Sequence, residues 1–500
     1  MRATNPVLPG CFPDPSVCRV GEWFYLVNST FEYLPGLPVH RSRDLVHWEP
    51  VGHAVTGQLD LAGLASSQGL YAPTLRHHAG RFWLVCTVVG GGGHLLLTAE
   101  DPAGPWSDPV WLAGEGIDPS LFVDDDGRVW FHATRPAAEP EWPGQTGIWL
   151  RELVDGELTG PEHVLWTGAV RGAVWSEGPH LYRVGDHYYL ITAEGGTEFH
   201  HAVAVARADR VTGPYTGNPA NPVLTHRHLG RDAPIAAAGH ADLVQAPDGS
   251  WWALLLGVRP YGGFHHNLGR ETFLVPVVWE DGWPVFAPGE GRVPAQVEVP
   301  FAGPDPSPTA GPVPSATGLV PPGDPAWCAP RHLPTDLATP DGDGWLLPAR
   351  PATLADTAPT SFLGVRQRHR DCEVVVTLDS TPAPGTWAGL AVRQSESDHL
   401  TLLTDGSRTR AVLRRAGREL ALGELPAGAT VCVLRTSGQD YALLAGPDTD
   451  HLTEVAVADG RSLDSVSAGG FLGLWIGVYA TGDGGATRLT LGYRPLATDR

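Results

Sequence analysis

The chain has 500 residues, of which 42% are hydrophobic, and this length predicts two or three domains with sizeable cores. Its formal net charge is −21, which disfavours nucleic acid and anionic membrane surfaces as partners, because both attract basic proteins. The composition includes 62 Gly, 47 Pro and 18 Trp, and this combination favours a turn-rich β protein.

The beginning of the chain and its cysteines indicate where the protein works. The first residues, MRATNPVLPGCFPDPS, lack the charged start and apolar run of a signal peptide. No apolar run is long enough to span a membrane. The six cysteines form no CxxC pair, so a zinc site is not predicted. We therefore expect a cytoplasmic protein with reduced thiols.

Residues 1–300 contain five similar segments. They are DPSVCRVGEWFYLV from Asp14, APTLRHHAGRFWLV from Ala72, DPSLFVDDDGRVWF from Asp118, EGPHLYRVGDHYYLI from Glu177 and HADLVQAPDGSWWALL from His240. Each reads as a short strand, a turn with glycine and an aromatic strand, and further hairpins follow. Four strands per repeat are typical of a propeller blade. The sequence therefore predicts a five-bladed β-propeller, with a β-sandwich as the alternative.

The remainder of the chain has two parts. Residues 301–326 are rich in Pro, Gly, Ser and Ala and are predicted to be an extended connector. From residue 327 to residue 500, short alternating strands resume, among them CEVVVTLDS and GFLGLWIGVYA, with turn signals between them. This pattern predicts a β-sandwich accessory domain and an all-β chain.

Acidic residues stand at the start of three repeats. In a propeller the innermost strands line a central channel, so residues at their first positions converge at one mouth. Asp14, Asp118, Glu177 and His240 occupy those positions, and only Ala72 is apolar there. A single Asp-Pro pair more often marks a turn or a cap. Three acids at equivalent repeat positions instead predict a shared site.

Three carboxyl groups around one pocket suit the cleavage of a glycosidic bond. One must be protonated to donate to the leaving oxygen, and one must be ionised to activate water or attack carbon. A third negative group can keep the pKa of the acid high, because like charges oppose ionisation. The neighbouring residues Asp124, Asp125 and Asp126 are interpreted as a solvated hairpin turn.

Further residues are candidates for binding rather than chemistry. His240 is either a ligand or a buried core histidine, and Arg270 either binds a hydroxyl or carboxylate or forms a structural salt bridge. Glu194 follows a strand, but its repeat position gives it no support. Aromatic faces pack on sugar rings, and each candidate for such a platform could equally be core packing: Phe31, Tyr71, Trp175 and Phe264.

Several segments together resemble glycoside hydrolase family 43, and within it the two-domain β-xylosidases. They are NPVLPGCFPDPS, SRDLVHWEPVGHA, GIDPSLFVDDDGR, WSEGPHLYR, GHADLV and LGRETFLVPVVWEDGWP, in the order found in the family. The C-terminal segments SFLGVRQRHRDCEVVVTLD and WAGLAVRQSESDHLTLL are similar to the appended concanavalin-like sandwich. The family often has Trp where Tyr71 stands, which leaves the choice of sugar open.

This resemblance implies roles for individual residues. Asp14 matches the general base, Asp118 the residue that orients the acid and tunes its pKa, and Glu177 the general acid. Arg270 matches an arginine that contacts the sugar and the carboxylates, and Phe31 matches an aromatic wall of the pocket. Trp475 is the candidate for an aromatic side chain with which the C-terminal domain closes the pocket.

The resemblance also implies what the protein binds. No cofactor is required, but some members hold a calcium ion in the propeller channel near the histidine that His240 matches. The expected partner is a small oligosaccharide, with neither nucleic acid nor membrane, and a homo-oligomer is allowed.

The predicted activity is that of an inverting exo-glycosidase acting on short β-1,4-xylo-oligosaccharides from the non-reducing end. An α-L-arabinofuranosidase, or an enzyme with both activities, is the close alternative. A retaining propeller enzyme acting on fructosides is a rival, but the N-D-P-N-G nucleophile segment of such enzymes is missing. A non-catalytic sugar-binding propeller is a second rival, and it would not need three acids.

Overall fold

The computed structural model describes residues 1–169, 172, 174–301 and 318–496, and this part of the chain is almost entirely β-structure. Its two α-helices, Pro334–Leu337 and Ser465–Ala468, have four residues each, and a 3₁₀-helix covers Gly460–Ser462. No helix in the described ranges has the length and apolar character needed to cross a bilayer. The prediction of an all-β chain is confirmed.

Five antiparallel sheets follow one another between residues 16 and 286. From the innermost strand outward, sheet 1 contains Ser16–Val20, Trp23–Val27, Gly36–Ser42 and Glu49–Val55; sheet 2 contains Gly69–His78, Arg81–Val89, Gly93–Ala99 and Val110–Leu112; sheet 3 contains Ile117–Val123, Val129–Pro136, Thr146–Val154 and Glu157–Trp166; sheet 4 contains Glu177–Val184, His187–Glu194, Ala202–Ala208 and Thr216–Gly217, with Leu224–Thr225 also paired to its third strand; sheet 5 contains Ala236–Gln245, Trp251–Val258, Glu271–Glu280 and Trp283–Phe286.

The five sheets close into a ring. Each innermost strand contacts the innermost strand of the next sheet, and that of sheet 5 contacts that of sheet 1. A separate apolar cluster fills the space between each pair of neighbouring sheets; Leu121 and Val85, for example, pack together between sheets 3 and 2. This is propeller architecture, and its sheets correspond to the five sequence repeats.

The first hairpin of each sheet turns at the glycine that the repeat predicted. Gly21 has φ +61° and Gly185 has φ +59°, in the left-handed region where a side chain is strained. No atom lies within 4 Å of the place where a Cβ would stand at either residue, so backbone conformation rather than space requires glycine there.

The ring is tied by its two ends. Arg2–Thr4 pairs with Gln296–Glu298 in a two-stranded antiparallel ribbon, and the N-terminal amine donates to the carbonyl oxygen of Val299. The amide of Asn5 donates to the carbonyl oxygens of Leu274 and Pro294. The first and last segments of the propeller are therefore held together by backbone groups far apart in sequence.

The C-terminal domain is a sandwich of two antiparallel sheets, as predicted. The seven-stranded sheet runs in the order Thr339–Asp341, Gly344–Pro348, Ala486–Pro495, Cys372–Leu378, Val431–Ser437, Asp440–Gly446 and Thr453–Asp459. The six-stranded sheet runs in the order Ser361–Arg366, Trp475–Gly482, Thr386–Arg393, His399–Thr404, Thr409–Arg415 and Arg418–Leu425. Most of the connector predicted for residues 301–326 lies outside the described residues.

The two domains are joined by pairing and by stacking. Ala329–Pro330 pairs with Tyr33–Leu34, so a strand of the C-terminal part adds to a propeller loop. The guanidinium of Arg366 lies 4.4 Å from the ring centroids of both Phe12 and Trp475. These contacts fix the position of the sandwich over the face of the propeller that carries the candidate acids.

Two smaller expectations concern single groups. No disulfide joins any of the six cysteines, and all six are buried. Asp126 lies in a turn and pairs with Arg128, while Asp124 accepts hydrogen bonds from the hydroxyl of Tyr188. The acidic run is therefore a hairpin turn whose Asp125 and Asp126 are exposed, but Asp124 is buried, so the prediction that all three are solvated is wrong for Asp124.

Candidate active site

The innermost strands share a backbone irregularity that positions the candidate residues. Asp14, Asp118 and His240 have φ angles of 51°, 54° and 53°, and Ala72 and Gly178 are also in the left-handed region. In sheets 2 to 5 the strand pairing shifts at this point, which marks a β-bulge. Such a bulge redirects side chains into the channel.

This geometry corrects one detail of the repeat. The residue of sheet 4 that corresponds to Asp14 and Asp118 is Gly178, not Glu177. Glu177 precedes the bulge and pairs with Ala193, in the same way that Ile117 of sheet 3 precedes its bulge and pairs with Thr134. Glu177 therefore corresponds to Ile117, not to Asp118. Glu177 therefore enters the pocket from a position of its own, one residue before that of the two aspartates.

Asp14 is buried and held in its ionised form. Its Oδ1 accepts a 3.0 Å hydrogen bond from Nη1 of Arg270, and its Oδ2 accepts one of 2.6 Å from the hydroxyl of Ser29. Nδ1 of His240 lies 3.8 Å from Oδ1. Burial raises the pKa of Asp14, but Arg270, His240 and Ser29 together outweigh it and lower the pKa below its ordinary value. Such a carboxylate can accept a proton from water.

Asp118 is buried beside the other two acids. Its Oδ2 accepts a 3.0 Å hydrogen bond from the backbone N–H of Gly178. The pKa of Asp118 is raised to about 6. Burial is the main cause; His240 acts to lower the pKa, and the negative charge of Asp14 acts to raise it. Because the bond runs to the residue after Glu177, Asp118 also fixes the backbone that carries that acid.

Glu177 is half-buried, and its pKa lies well above the ordinary value for a glutamate. Burial is the main cause, followed by the negative charges of Asp118 and Asp14, while Arg270 acts in the opposite direction. A carboxyl group of this kind stays protonated to a higher pH than an ordinary glutamate and can then donate a proton. The three acids predicted from sequence therefore lie close enough to shift one another's pKa.

Arg270 links the acids to the walls of the pocket. Besides Asp14, its Nη1 donates to the hydroxyl of Thr197 at 3.0 Å. Its guanidinium carbon lies 5.6 Å from the ring centroid of Phe31 and 5.5 Å from that of Phe471. The buried Nε makes no hydrogen bond to a described residue. Arg270 therefore lies among the candidate site residues and forms an ion pair with Asp14.

The surroundings of His240 bear on the expected calcium ion. Calcium takes six to eight oxygen ligands, whereas His240 offers ring nitrogens. Two residues further along the same strand, both oxygens of the Asp242 carboxylate accept hydrogen bonds from Arg76. Within the described ranges, no group of three or more His, Cys, Asp or Glu side chains is arranged around a common point for a metal ion. These contacts identify no set of protein oxygen ligands for calcium in the described ranges, and the calcium ion near His240 stays a prediction.

Aromatic side chains from both domains form one wall. The rings of Phe31 and Tyr71 meet edge to face at 5.1 Å, and Phe471 lies parallel to Phe31 at 6.2 Å. Phe471 belongs to the C-terminal domain and keeps 38% of its surface exposed. Tyr71 is half-buried, whereas Phe31 is only 1% exposed and belongs to an apolar core cluster, so a sugar contact of Phe31 stays a prediction.

Trp475 does not close the pocket. It is only 1% exposed, and its ring stacks on Tyr33 at 4.0 Å inside the domain interface. Phe471, four residues earlier, occupies the place that the sequence analysis gave to Trp475. Trp475 starts a buried strand of the sandwich, whereas Phe471 lies in the irregular segment before it.

Ser67 connects two of these aromatic residues, Tyr71 and Phe471, to a buried ion pair. Its carbonyl oxygen accepts from the hydroxyl of Tyr71, its hydroxyl accepts from the backbone N–H of Phe471 at 2.9 Å, and its own N–H donates to Oε2 of Glu32 at 3.0 Å. Glu32 is paired at 3.1 Å with Arg393 of the sandwich. The wall is therefore held from both domains.

The structure also places the remaining candidates. Trp175 is half exposed, and its backbone N–H donates to the carbonyl oxygen of Gly144. Phe264 is half-buried and lines a second cavity that is described below. Glu194 accepts from Nε1 of Trp166 and the N–H of Ala169, so it anchors a loop. Sequence reasoning missed Ser29, Thr197 and Phe471, which belong to no repeat.

The exposure of Phe471 leads to a prediction. Phe471→Ala should raise KM about five- to tenfold, equivalent to roughly 1 kcal/mol for one aromatic contact, with little change in kcat. The thermal midpoint should hardly change, because the side chain is partly exposed in the free enzyme. Steady-state kinetics and thermal unfolding test both points, with Phe471→Tyr as the control that keeps the ring. An unchanged KM would show that the side chain of Phe471 does not contact the substrate.

A propeller that gathers three interacting carboxyl groups, one arginine and an aromatic wall at one mouth defines a class of enzymes that hydrolyse glycosidic bonds. The sequence model of Glycosyl hydrolases family 43 matches residues 3–284, and that of the Beta xylosidase C-terminal Concanavalin A-like domain matches residues 322–490. The chain belongs to glycoside hydrolase family 43 and is a xylosidase/arabinosidase-type glycosidase.

Relatives of known name span the whole chain. A xylosidase/arabinosidase of Butyrivibrio fibrisolvens is 38% identical, covering 96% of each chain. A non-reducing end alpha-L-arabinofuranosidase of Bacteroides ovatus is 37% identical, covering 96% of this chain and 92% of the relative. The crystal structure of a xylan beta-1,4-xylosidase from Bacillus halodurans superposes with a TM-score of 0.90 at 30% identity, covering 98% of this chain and 100% of the other.

Proposed function

We propose that the protein is an inverting exo-glycosidase that removes xylose from the non-reducing end of short β-1,4-xylo-oligosaccharides. The observation that supports this most is the opposite direction of two pKa shifts within one site. The pKa of Asp14 is lowered and that of Glu177 is raised. A single displacement needs an ionised base and a protonated acid, and the two pKa shifts favour those forms.

In the proposed reaction Glu177 gives its proton to the glycosidic oxygen as the bond to the anomeric carbon breaks. A water molecule attacks that carbon from the opposite face, and Asp14 takes the water's proton. A β-xyloside then yields α-xylose, and the two carboxyl groups return to their starting forms once a proton passes back to Glu177. Arg270 keeps Asp14 ionised and oriented through the 3.0 Å hydrogen bond.

The second candidate is an α-L-arabinofuranosidase, or an enzyme with both activities. The names of the relatives favour keeping it, because one is a xylosidase/arabinosidase and another an arabinofuranosidase. The acid and the base would act in the same way on either sugar. The difference would lie in the shape of the pocket around Phe31 and Tyr71.

The deciding experiment combines rate and stereochemistry. Hydrolysis of p-nitrophenyl β-D-xylopyranoside is measured beside hydrolysis of the α-L-arabinofuranoside, and the anomer released first is identified by NMR. Cleavage of the xyloside with α-xylose appearing first supports the proposal. Cleavage of the arabinoside alone changes the substrate, and first release of β-xylose from the xyloside contradicts inversion. Binding without turnover would favour a sugar-binding propeller.

Asp118 should control the alkaline side of the pH profile. Glu177 must be protonated to act, so activity falls as pH rises through its raised pKa. Because the charge of Asp118 raises that pKa, Asp118→Asn should move the alkaline limb of kcat/KM to lower pH. Initial rates across the pH range test this, with the exposed Asp126→Asn as the matched control. An alkaline limb that stays in place would show that Asp118 does not tune Glu177.

A further inference from the structure

A second cavity opens beside the candidate active site. It has a volume of about 330 Å³ and shares Thr197, Arg270 and Phe471 with the site described above. Its other side is formed by Phe199, Arg231 and Phe264, which belong to loops of sheets 4 and 5. A sugar ring bound in the pocket of the three acids would therefore have this cavity as a neighbour.

Arg231 is held in this cavity by aromatic rings. Its guanidinium carbon lies 4.7 Å from the ring centroid of Phe199 and 5.1 Å from that of Phe264, and these two rings meet edge to face at 5.5 Å. Arg231 is exposed, and among the described residues no carboxylate pairs with it. The two rings leave the edge of the guanidinium free while limiting its motion.

The charges in the cavity favour an acidic ligand. Arg231 and Arg270 both line it, with one carboxylate, that of Glu198. The charge of Arg270 is paired with Asp14, which leaves Arg231 as the cation available to a ligand.

We infer that this cavity binds the leaving group and that Arg231 selects leaving groups that carry a carboxylate, such as xylo-oligosaccharides substituted with a uronic acid. The inference rests on the proposed function, because it needs the xylose to be cut in the adjoining pocket. The rings of Phe199, Phe264 and Phe471 offer faces for sugar rings, and a guanidinium forms paired hydrogen bonds with a carboxylate. Arg231 is a specificity residue and takes no part in bond cleavage.

Two aryl xylosides that differ in one carboxylate provide the test. They are 4-nitrophenyl β-D-xyloside and its 3-carboxy-4-nitrophenyl analogue, each assayed with wild type, Arg231→Gln and Arg227→Gln. Arg227 is the matched control, since it is an exposed arginine of the same loop and does not line the cavity. Comparing each variant with wild type removes the intrinsic difference in leaving-group reactivity.

Arg231→Gln should lower kcat/KM for the carboxylated xyloside about five- to tenfold, and leave the neutral one unchanged. The effect should shrink as salt is added, because the group is exposed. Arg227→Gln should change neither substrate. An equal effect of Arg231→Gln on both xylosides, or none on either, overturns the inference while leaving the proposed function intact.

Binding of the two S-linked analogues, whose thioglycosidic bond resists hydrolysis, separates selection from turnover. Calorimetry with wild type should show tighter binding of the carboxylated analogue, and Arg231→Gln should remove that preference. Equal dissociation constants for the two ligands would overturn the inference. If wild type neither binds nor cleaves either xyloside, the proposed function fails and this inference fails with it.

Discussion

Glu177→Gln is expected to lower kcat for xylobiose by about 10²- to 10⁴-fold, the usual contribution of a general acid. Glutamine keeps the shape of the side chain but has no acidic proton to give. The sugar alkoxide is a poor leaving group and needs that proton, whereas p-nitrophenolate leaves readily without it. The loss should therefore be much smaller for p-nitrophenyl β-D-xyloside. Initial rates on both substrates measure the difference.

The same variant should be at least as stable as wild type near neutral pH. The folded-state pKa of Glu177 is raised, so the stability linked to this group is present below its unfolded pKa and is lost as pH rises through the folded value. Glutamine avoids the cost of ionising a carboxyl next to Asp118 and Asp14. Thermal unfolding at pH 7 checks this. Equal activity losses on both xylosides, or a fall in thermal midpoint that accounts for the loss, would contradict the role of general acid.

The repeat predicted the site best where equivalent positions share one backbone conformation. The segments beginning at Asp14 and Asp118 share a Pro-flanked frame, and in the structure both residues occupy the same bulge position with a left-handed backbone. Their convergence could therefore be predicted. Glu177 could be selected as an acid, but its offset by one residue was missed. Aligning Pro179 with Pro15 and Pro119 places Gly178 rather than Glu177 at the position of the two aspartates.

Residues outside the repeat were harder to assign. Trp475 and Phe471 are both aromatic residues of one segment, and a sequence pattern does not show that Trp475 begins a buried strand against Tyr33. Which of them faces the pocket depends on how the sandwich docks on the propeller. Ser29 and Thr197 act through single hydrogen bonds to Asp14 and Arg270, and their surroundings in the sequence carry no signal of that contact.

Asp14→Asn is expected to remove most activity by about the same factor for xylobiose and p-nitrophenyl β-D-xyloside. The base acts on water, so its loss does not depend on the leaving group, and a fall of about 10²- to 10⁴-fold is expected for each. Ser29→Ala is the matched control, because it removes the 2.6 Å hydrogen bond to Oδ2 and keeps the carboxylate. Its activity loss should be small, and the acid limb of its pH profile should move to higher pH.

Stability should respond to Asp14→Asn in the opposite direction from Glu177→Gln. The folded-state pKa of Asp14 is lowered, so its contribution to stability is present above the unfolded pKa and is lost as pH falls through the folded value. At pH 7 asparagine leaves the buried guanidinium of Arg270 without its anion, at a cost of about 1–3 kcal/mol. Thermal unfolding of the two variants side by side should therefore show Asp14→Asn below wild type and Glu177→Gln at or above it. Two shifts of the same sign would mean that the site does not hold one carboxyl ionised and the other protonated, and the assignment of base and acid would then fail.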